Sequence, residues 1–362
     1  MKKIMILTAE RTGTGHKSAA NAIEKKLNIL GYETRQIDCF TMMGKKGQVL
    51  ENSYIPVTTK QPMLYYFTYQ FSQVFPNVVH SLVYANFRKS FKKEIENFKP
   101  DLIISVHSMF TKSISFFLKR EGLDIPFFIN VIDLVKPPKV WFDRKANVLF
   151  VPTDEVKEKY IKKGIEENRL IVSGFPIRTD IKRRTIPKEI KNTVNILLVN
   201  PSVKLRKNIK FTKEVSKLKN VSISVICGRD KKMYKTLTKQ QNLGKISKNV
   251  KIFEFVNNMN EFLENSHILL AKAGPNMILE GARSATAIVI TGHIKGQENK
   301  NFEYVVKNKF GFKCENPKKI YSELNSFINS GNLQACLKNV LDAKCNDGAE
   351  IIANYIDNTL KD

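Results

Sequence analysis

The chain has 362 residues, of which 42% are hydrophobic and 10% aromatic, a composition that excludes a disordered chain and suffices for about two folded domains. Its 60 Lys and Arg residues against 34 Asp and Glu give a formal net charge of +26. Such an excess indicates an anionic partner, either a membrane surface or a nucleic acid. The alternative is that the charge only keeps the protein surface soluble. The 5 cysteines are scattered without disulfide or zinc spacing, and no apolar run approaches the ~18 residues of a spanning helix. We therefore expect a reduced compartment, no metal site, and a protein that is soluble or peripheral to a membrane.

Short apolar runs alternate with helical patterns through the first half of the chain. The runs are continuous enough for parallel strands covered on both faces, and after the first of them Ala20, Ile23, Leu27 and Leu30 recur at helical spacing. The predicted strands are KKIMILTA, ETRQIDCF, PDLIISVH, PFFINVIDL, NVLFVPT and RLIVSGF. This alternation predicts an α/β domain built on a parallel sheet.

Residues 60–93 interrupt the alternation with nine aromatic side chains flanked by lysines and arginines. Such a stretch is typical of an interfacial helix whose rings enter the headgroup region of a membrane. The alternative is that these rings pack in the protein core. Four of them are candidates for acceptor or membrane contact: Tyr65, Tyr66, Phe67 and Phe71.

A second series of strands follows residue 190, and the chain from Pro317 onward indicates helices only. The predicted strands are VNILLVN, VSISVICG, VKIFEFV, HILLAKAG and ATAIVITG. Two such series predict two Rossmann-like domains, residues 1–182 and 194–340, joined by a basic, proline-marked linker at 183–193. Residues 341–362 form a final helix that we expect to pack back toward the N-terminal domain. Because ligands bind at the carboxyl ends of such strands, we expect the active site in the cleft between the domains.

The loop TGTGHKS, after the first strand, admits three interpretations. A P-loop requires Gly-Lys-Ser/Thr in direct succession, and His16 separates Gly15 from Lys17. A dinucleotide fingerprint matches Gly13, Gly15 and the acidic Asp38, but a serine replaces its third glycine, so the match is weak. An active-site turn explains the histidine, since an imidazole at a helix start can take a proton from an attacking hydroxyl. A histidine that merely caps the helix is the remaining alternative.

Residues 269–311 carry a more specific pattern of strand, turn and helix. The strand ends before Gly274-Pro275, and the N–H groups of the helix that starts there can hold a diphosphate without a metal. Glu280, about one turn inside, can accept both hydroxyls of a ribose. After the next strand, Gln297 and Glu298 in GQENKN are placed to hydrogen-bond sugar hydroxyls.

Residues 269–311 resemble the donor-binding motif of GT-B glycosyltransferases. The resemblance is strongest to the family of monogalactosyldiacylglycerol synthases and processive diacylglycerol glucosyltransferases. TGTGHKSAANAI is similar to the glycine-rich loop of that family. VICGRDKK, IFEFVNNMNEFL and the stretch from VIDLVKPPKVW to SGFPIR resemble further family motifs, in family order and over nearly the whole chain. The resemblance implies a GT-B fold: two Rossmann-like domains with C-terminal helices and a cleft for donor and acceptor.

By position, the resemblance implies His16 as the catalytic histidine, acting as base or aligning the acceptor. It implies Asp133 as a catalytic acidic residue that faces the cleft from the N-terminal domain. His107 follows LIISV on the same sheet edge and is a candidate acceptor contact. A turn role for Asp133 and a plain surface role for Arg229 are the alternatives. The donor-binding residues are Gly15, Arg229, Val256, Gly274, Pro275, Asn276, Glu280, Gln297 and Glu298.

One loop departs from the family pattern. Pro201-Ser202-Val203-Lys204 stands where the family has a glycine-rich turn that approaches the donor phosphates. Without those glycines the backbone cannot approach as closely. Either the lysines that follow replace the N–H groups as phosphate partners, or the donor binds less well.

The resemblance implies an inverting transferase that moves a hexose, glucose or galactose, from a UDP-sugar to diacylglycerol. Such an enzyme needs no cofactor or metal. We expect it to bind the anionic membrane surface on the cytoplasmic inner face of the cell membrane and to have no nucleic-acid partner. Transfer to an undecaprenyl-linked acceptor and a weakly active, membrane-binding protein are the alternatives. A nicotinamide-dependent oxidoreductase rests only on the glycines of the opening loop and Asp38.

Overall fold

The computed structural model describes residues 1–12, 14–200, 202, 204–343 and 345–361. Gly13 of the opening loop, and Pro201 and Val203 of the loop that departs from the family pattern, lie outside these residues. The chain divides into two compact units. The first consists of Met1–Thr179 and Asn346–Asp362, and the second of Asp180–Cys345.

The first unit is built on a six-stranded parallel sheet. Its strands are β1 (Lys3–Thr8), β2 (Glu33–Asp38), β3 (Leu102–Ser105), β4 (Phe127–Asn130), β5 (Val148–Val151) and β6 (Leu170–Val172), in the spatial order β2-β1-β3-β4-β5-β6. Every residue of β3, β4 and β5 is buried, as the continuous apolar runs predict for strands covered on both faces.

Among the described residues before residue 180 there are seven α-helices. They are α1 (Thr14–Ile29), α2 (Cys39–Met42), α3 (Gly44–Lys60), α4 (Pro62–Val74), α5 (Pro76–Phe98), α6 (Thr111–Glu121) and α7 (Asp154–Ile161), with 3₁₀ helices at Ser108–Phe110, Lys139–Trp141 and Glu167–Arg169. Pro62 and Pro76 each occupy a first-turn position, where the missing N–H costs no hydrogen bond, so the aromatic segment is divided between two helices.

The second unit repeats the architecture with another six-stranded parallel sheet. Its strands are β7 (Val194–Val199), β8 (Val221–Ile226), β9 (Val250–Phe253), β10 (Ile268–Lys272), β11 (Ala287–Gly292) and β12 (Gly311–Lys313), in the spatial order β12-β11-β10-β7-β8-β9. Its helices are α8 (Leu205–Val215), α9 (Lys231–Asn242), α10 (Met259–Glu264), α11 (Pro275–Arg283), α12 (Asn301–Lys307), α13 (Ile320–Asn329) and α14 (Asn332–Asp342). The two Rossmann-like α/β domains of the sequence analysis are confirmed, and the three-residue β12 is the one strand that the apolar runs did not predict.

Two segments near the unit boundaries have definite packing. Lys188, in the predicted linker, donates from Nζ to the carbonyls of Leu263 and Ser266 and to the hydroxyl of Thr286, all within the second unit. The last helix, α15 (Gly348–Lys361), belongs to the first unit, where Ile352 and Ile356 enter its core. None of the described helices is long and apolar enough to span a membrane.

Candidate active site

His16 is the third residue of α1 and lies at the carboxyl edge of the first sheet. β1 and β3 are paired in parallel, so their carboxyl ends meet at this edge, and the N–H of Val106 bonds to the carbonyl of Leu7 at 2.9 Å. The carbonyl of Val106 in turn lies 2.7 Å from His16 Nδ1. A carbonyl can only accept, so Nδ1 carries the proton and the lone pair of the neutral ring lies on Nε2. The fold therefore selects the tautomer of His16 that has a proton acceptor at Nε2.

His107 contacts His16, with 4.2 Å between the two ring centroids. It caps the 3₁₀ helix that follows β3, and its Nδ1 accepts the N–H of Met109 at 3.3 Å. In the neutral ring the proton of His107 is therefore on Nε2, the opposite tautomer to that of His16. The pair brings one acceptor nitrogen and one donor N–H to the same edge of the sheet.

Burial keeps both imidazoles neutral. It lowers the pKa of His16 to about 4, and the hydrogen bond to Val106 opposes that shift. The pKa of His107 falls well below its ordinary value, because of burial first and the neighbouring His16 second. At neutral pH His16 is thus an unprotonated base whose tautomer is fixed.

Asp133, the second predicted catalytic residue, is buried beyond the end of β4. Its Oδ2 accepts the indole N–H of Trp141, the only tryptophan of the chain, at 2.6 Å. Burial raises the pKa of Tyr69 to about 12, and the nearby Asp133 carboxylate contributes to that rise. The structure thus places Asp133 beside the aromatic helix α4 with its orientation fixed by Trp141.

Two buried polar side chains stand at the ends of β1 and β4, the two strands that flank β3. Thr8 ends β1 and Asn130 ends β4, and register across β3 aligns them in one row of the sheet. Within the described chain, neither the Thr8 hydroxyl nor the Asn130 amide has a hydrogen-bond partner. Buried polar atoms without partners are costly, so this edge is suited to a water or a polar group of a ligand.

Helix α4 presents an exposed apolar surface, which we call the α4 apolar face. No residue of α4 is buried. The members of the face expose between 48% and 63% of their surface and are Met63, Leu64, Phe67, Phe71 and Val74. Tyr65 and Tyr66 are half-buried, and Tyr65 packs on Tyr54 and Tyr69. Of the four aromatic candidates in this segment, Phe67 and Phe71 therefore point outward while the tyrosines are partly covered.

In the second unit, the turn from β10 into α11 contains the predicted phosphate-binding residues. Gly274 is the N-cap of α11 and has no side chain to bond the first-turn N–H groups, while Pro275 occupies the first helical position. Asn276 follows, half-buried. Glu280 lies further along the same helix and is 4% exposed. The helix start thus leaves backbone donors for an anion, with a buried carboxylate one turn beyond it.

Lys272 is a charged residue of this turn that the sequence analysis missed. Its Nζ lies 2.6 Å from Oε1 of Glu298, whose Oε2 accepts the N–H of Ile294 at 2.8 Å. A Cβ at Gly274 would lie 3.2 Å from Lys272 Nζ, so the ammonium group is at the start of α11. Both oxygens of Glu298 are engaged, and Glu298 and the half-buried Gln297 lie in the turn before α12. The sequence does not distinguish this lysine as a site residue, because the chain has 60 basic residues and one of them at the end of a strand is not unusual.

The remaining donor candidates of the second unit lie after β8 and β9, and Gly15 is the second residue of α1 in the first unit. Arg229 is exposed, and its guanidinium lies 5.4 Å from the ring centroid of Phe255. Val256 is half-buried, one residue after Phe255. In the first turn of α8, which follows β7, the side chain of Lys207 donates to the carbonyl of Glu315 at 3.1 Å. This lysine therefore has a protein partner, which a phosphate would have to replace.

The comparisons with known proteins match both units. The family model for monogalactosyldiacylglycerol (MGDG) synthase matches residues 16–177, and the model for the glycosyltransferase family 28 C-terminal domain matches residues 200–345. A processive diacylglycerol beta-glucosyltransferase of Bacillus cereus (strain G9842) is 25% identical over 90% of this chain and 85% of its own length. The chain is a glycosyltransferase that is similar to monogalactosyldiacylglycerol synthases and diacylglycerol glucosyltransferases over most of its length.

Plant members of the family are similar at the same level. A probable chloroplastic monogalactosyldiacylglycerol synthase of Nicotiana tabacum is 28% identical over 88% of this chain and 63% of its own length. Monogalactosyldiacylglycerol synthase 3 of Arabidopsis thaliana is 27% identical over 88% of this chain and 72% of its own length. The resemblance that the sequence motifs indicated is thus confirmed over most of the chain.

Solved structures show the GT-B fold of this glycosyltransferase. MurG of Acinetobacter baumannii matches with a TM-score of 0.68 and 14% identity, covering 99% of this chain and 100% of its own. CalG4, the calicheamicin glycosyltransferase, matches with a TM-score of 0.67 and 10% identity, covering 100% of this chain and 98% of its own. At these identities the likeness concerns the fold alone, and the GT-B class is confirmed.

Proposed function

We propose that this glycosyltransferase moves a hexose from a UDP-hexose to the free hydroxyl of diacylglycerol at a membrane surface, with inversion at the anomeric carbon. The observation that carries the proposal is the fixed tautomer of His16, because it presents an unprotonated Nε2 in a unit that matches the synthase family. The names of the relatives supply the acceptor class, diacylglycerol, and glucose or galactose as the sugar.

His16 acts as the general base. The acceptor hydroxyl donates to Nε2, and as its oxygen bonds to the anomeric carbon the proton passes to that nitrogen. Nδ1 remains bonded to the Val106 carbonyl, which stabilises the imidazolium that forms. Attack on the face opposite the UDP inverts the configuration. His107, with its N–H on Nε2, is placed to donate to an oxygen of the same acceptor, and Asp133 supports the site from its position against Trp141.

The second unit binds the donor without a cofactor, since the UDP-sugar is itself a substrate. Backbone N–H groups in the first turn of α11, from Asn276 onward, donate to the diphosphate, since the Gly274 N–H bonds to the Lys272 carbonyl and Pro275 has no N–H. Lys272 and Arg229 supply positive charge as the UDP leaves. Glu280 binds the ribose hydroxyls. Because Lys272 and Glu298 are already paired, Glu298 reaches the sugar with a fixed orientation, and Gln297 lies beside it. Gly15 of α1 and Val256 complete the donor contacts.

Membrane association follows from the α4 apolar face together with the net charge of +26. Large exposed apolar patches on a folded protein mark interaction sites, and burial in the headgroup region removes these side chains from water. Lysines and arginines add attraction to anionic lipid. We therefore place the protein on the cytoplasmic inner face of the cell membrane as a peripheral enzyme, with no nucleic-acid partner.

The test is transfer of labelled hexose by the purified protein. Vesicles that contain diacylglycerol, or an undecaprenyl-linked acceptor in a parallel arm, are incubated separately with UDP-glucose, UDP-galactose and UDP-N-acetylglucosamine. We expect labelled glucose or galactose to appear in the diacylglycerol fraction, attached in β linkage. The Glu280→Ala variant should give no labelled lipid. Label confined to the undecaprenyl arm would contradict the acceptor, and vesicle binding without any lipid product would contradict the enzymatic proposal.

A further inference from the structure

Glu51 is a buried carboxylate on a helix whose other side chains are mostly exposed. It is 2% exposed, and only Gly47 and Thr58 are buried with it on α3. A buried carboxylate is tolerated only where hydrogen bonds replace its hydration. Burial raises the pKa of Glu51, and the N–H of Arg11 opposes that shift. The partners of this group therefore show what the helix holds in place.

Those partners are two consecutive N–H groups of the loop between β1 and α1. Oε1 of Glu51 accepts the N–H of Glu10 at 2.9 Å and the N–H of Arg11 at 2.7 Å. Next to it on α3, Oδ1 of Asn52 accepts from the Arg11 side chain at 3.0 Å. Successive N–H groups that converge on one oxygen form an anion-binding concavity of the backbone. Here an internal carboxylate 40 residues away fills it.

The same loop determines where α1 begins. His16 lies five residues beyond Arg11, in the first turn of α1, and its Nδ1 must come within hydrogen-bond distance of the Val106 carbonyl. Glu51 holds this connection two and three residues beyond the end of β1, and α1 begins three residues after Arg11. Displacement of the loop would move the ring relative to Val106. A displacement of about 1 Å in a reacting group can lower a rate by ~10²-fold.

Helix α3 also contacts α4. Tyr54, three residues after Glu51, packs edge-to-face on Tyr65 with ring centroids 5.8 Å apart. Helix α3 therefore connects α4, which carries the α4 apolar face, with the loop that precedes the base in the sequence. The opening motif TGTGHKS gives no indication of this connection, since the carboxylate lies on a separate element.

We infer that Glu51 is a positioning residue of the transfer reaction, which holds the β1–α1 loop against α3 and so sets His16 for proton transfer. The inference rests on the proposed function. Glu51 itself contacts neither substrate nor His16 in this scheme, and what it supplies is an acceptor oxygen. Glutamine retains that oxygen, whereas alanine removes it.

The experiment compares Glu51→Ala with Glu51→Gln, and uses Glu96→Ala on the exposed side of α5 as the matched control. We expect Glu51→Ala to lower kcat for transfer to diacylglycerol at least ~10-fold with an unchanged Kd for UDP, which the second unit binds. Glu51→Gln should stay within ~3-fold of the unaltered protein, and Glu96→Ala should match it. A kcat unchanged in Glu51→Ala, or a Gln variant as slow as the Ala variant, would overturn the inference.

Amide hydrogen exchange supplies a readout that is independent of transfer. Glu51→Ala should raise exchange in the peptide that covers residues 8–17, and Glu51→Gln should not, while peptides of the second unit remain unchanged in both. Exchange that rises throughout the first unit would show a general structural role and overturn the inference. Absence of transfer by the unaltered protein would contradict the proposed function, and the exchange comparison would still decide whether Glu51 holds the loop.

Discussion

His16 and His107 are neighbouring imidazoles with opposite tautomers, and their backbone partners determine this. The Val106 carbonyl accepts from one ring and the Met109 N–H donates to the other. Burial lowers the pKa of both histidines, so neither gains charge near neutral pH. A base of this kind is available over a wide pH range, because protonation in the free site requires a pH near 4.

The pH dependence of transfer tests this assignment. Protonated His16 cannot accept a proton, and its pKa is lowered from 6.5 to about 4. We therefore expect kcat at saturating substrates to stay nearly constant from pH 8 down to about pH 5 and to fall only below that. The measurement is the initial rate in a constant-ionic-strength buffer series. A midpoint near pH 6.5 would show that the base is an unperturbed histidine.

Lys272 is the charge nearest the start of α11, and its removal tests the donor site. Lys272→Met should weaken UDP binding about 10-fold, because a cation beside the diphosphate is lost and Glu298 loses its partner. Lys251→Met, at an exposed position on β9 of the same unit, is the control and should leave the affinity unchanged. The measurement is calorimetric titration with UDP. Equal affinities in the two variants would exclude Lys272 from the donor site.

The sequence could indicate candidate site residues that belong to a local motif, but not candidates whose contacts depend on another element. His16 and Gly274 could be named as candidates because each lies in a glycine-containing turn that follows a strand. Such a turn can be recognised in a single sequence. Glu51 could not, because its partners are backbone N–H groups about 40 residues away. Lys272 was missed for a different reason, since one lysine among 60 basic residues is not distinctive.

Helices α4 and α5 show why the aromatic segment supported two interpretations. Phe87 and Phe91 of α5 are buried in the core of the first unit, as the core alternative predicts. Phe67 and Phe71 of α4 are exposed, as an interfacial helix requires. Composition cannot separate these cases, because only the packing of a helix determines which of its rings are covered. Pro76 marks the boundary between the two helices.

The α4 apolar face should account for binding to vesicles. Leu64→Ser combined with Val74→Ser removes two of its apolar side chains, and Leu243→Ser combined with Val306→Ser makes the same substitutions at exposed positions of the second unit. With about 1 kcal/mol lost for each of these apolar side chains that enters the membrane, the first variant should bind anionic vesicles at least ~10-fold more weakly than the second. Sedimentation with vesicles measures this. Equal binding by the two variants would refute the assignment of the face.

The whole chain consists of two parallel-sheet units, and its last helix joins the first of them. Gly348, where α15 begins, lies against Phe175, and an added Cβ would come within 2.5 Å of the Phe175 carbonyl carbon. Ile352 and Ile356 then pack among the side chains of α1 and the sheet. The first unit is thus completed only when the second has been synthesised. The helical pattern of residues 341–362 predicted the presence of this helix.

Stability should reflect this arrangement. Ile356→Ala removes a fully buried side chain and should lower the free energy of unfolding of the first unit by roughly 2–5 kcal/mol. Ile351→Ala, at a half-buried position of the same helix, should cost less. UDP binding should persist in both variants, since Ile356 lies outside the second unit. Thermal unfolding with and without UDP measures these effects, and an equal loss in the two variants would contradict the packing of α15.

The most direct test of the central claim is the initial rate at which labelled hexose passes from a UDP-hexose into diacylglycerol, measured for the unaltered protein and for His16→Ala. If the first unit supplies the base and the second binds the donor, the unaltered protein forms labelled glycolipid. The variant should then be ~10²–10⁴-fold slower with an unchanged Kd for UDP. Equal rates for the two proteins would show that the base is another group and would contradict the account.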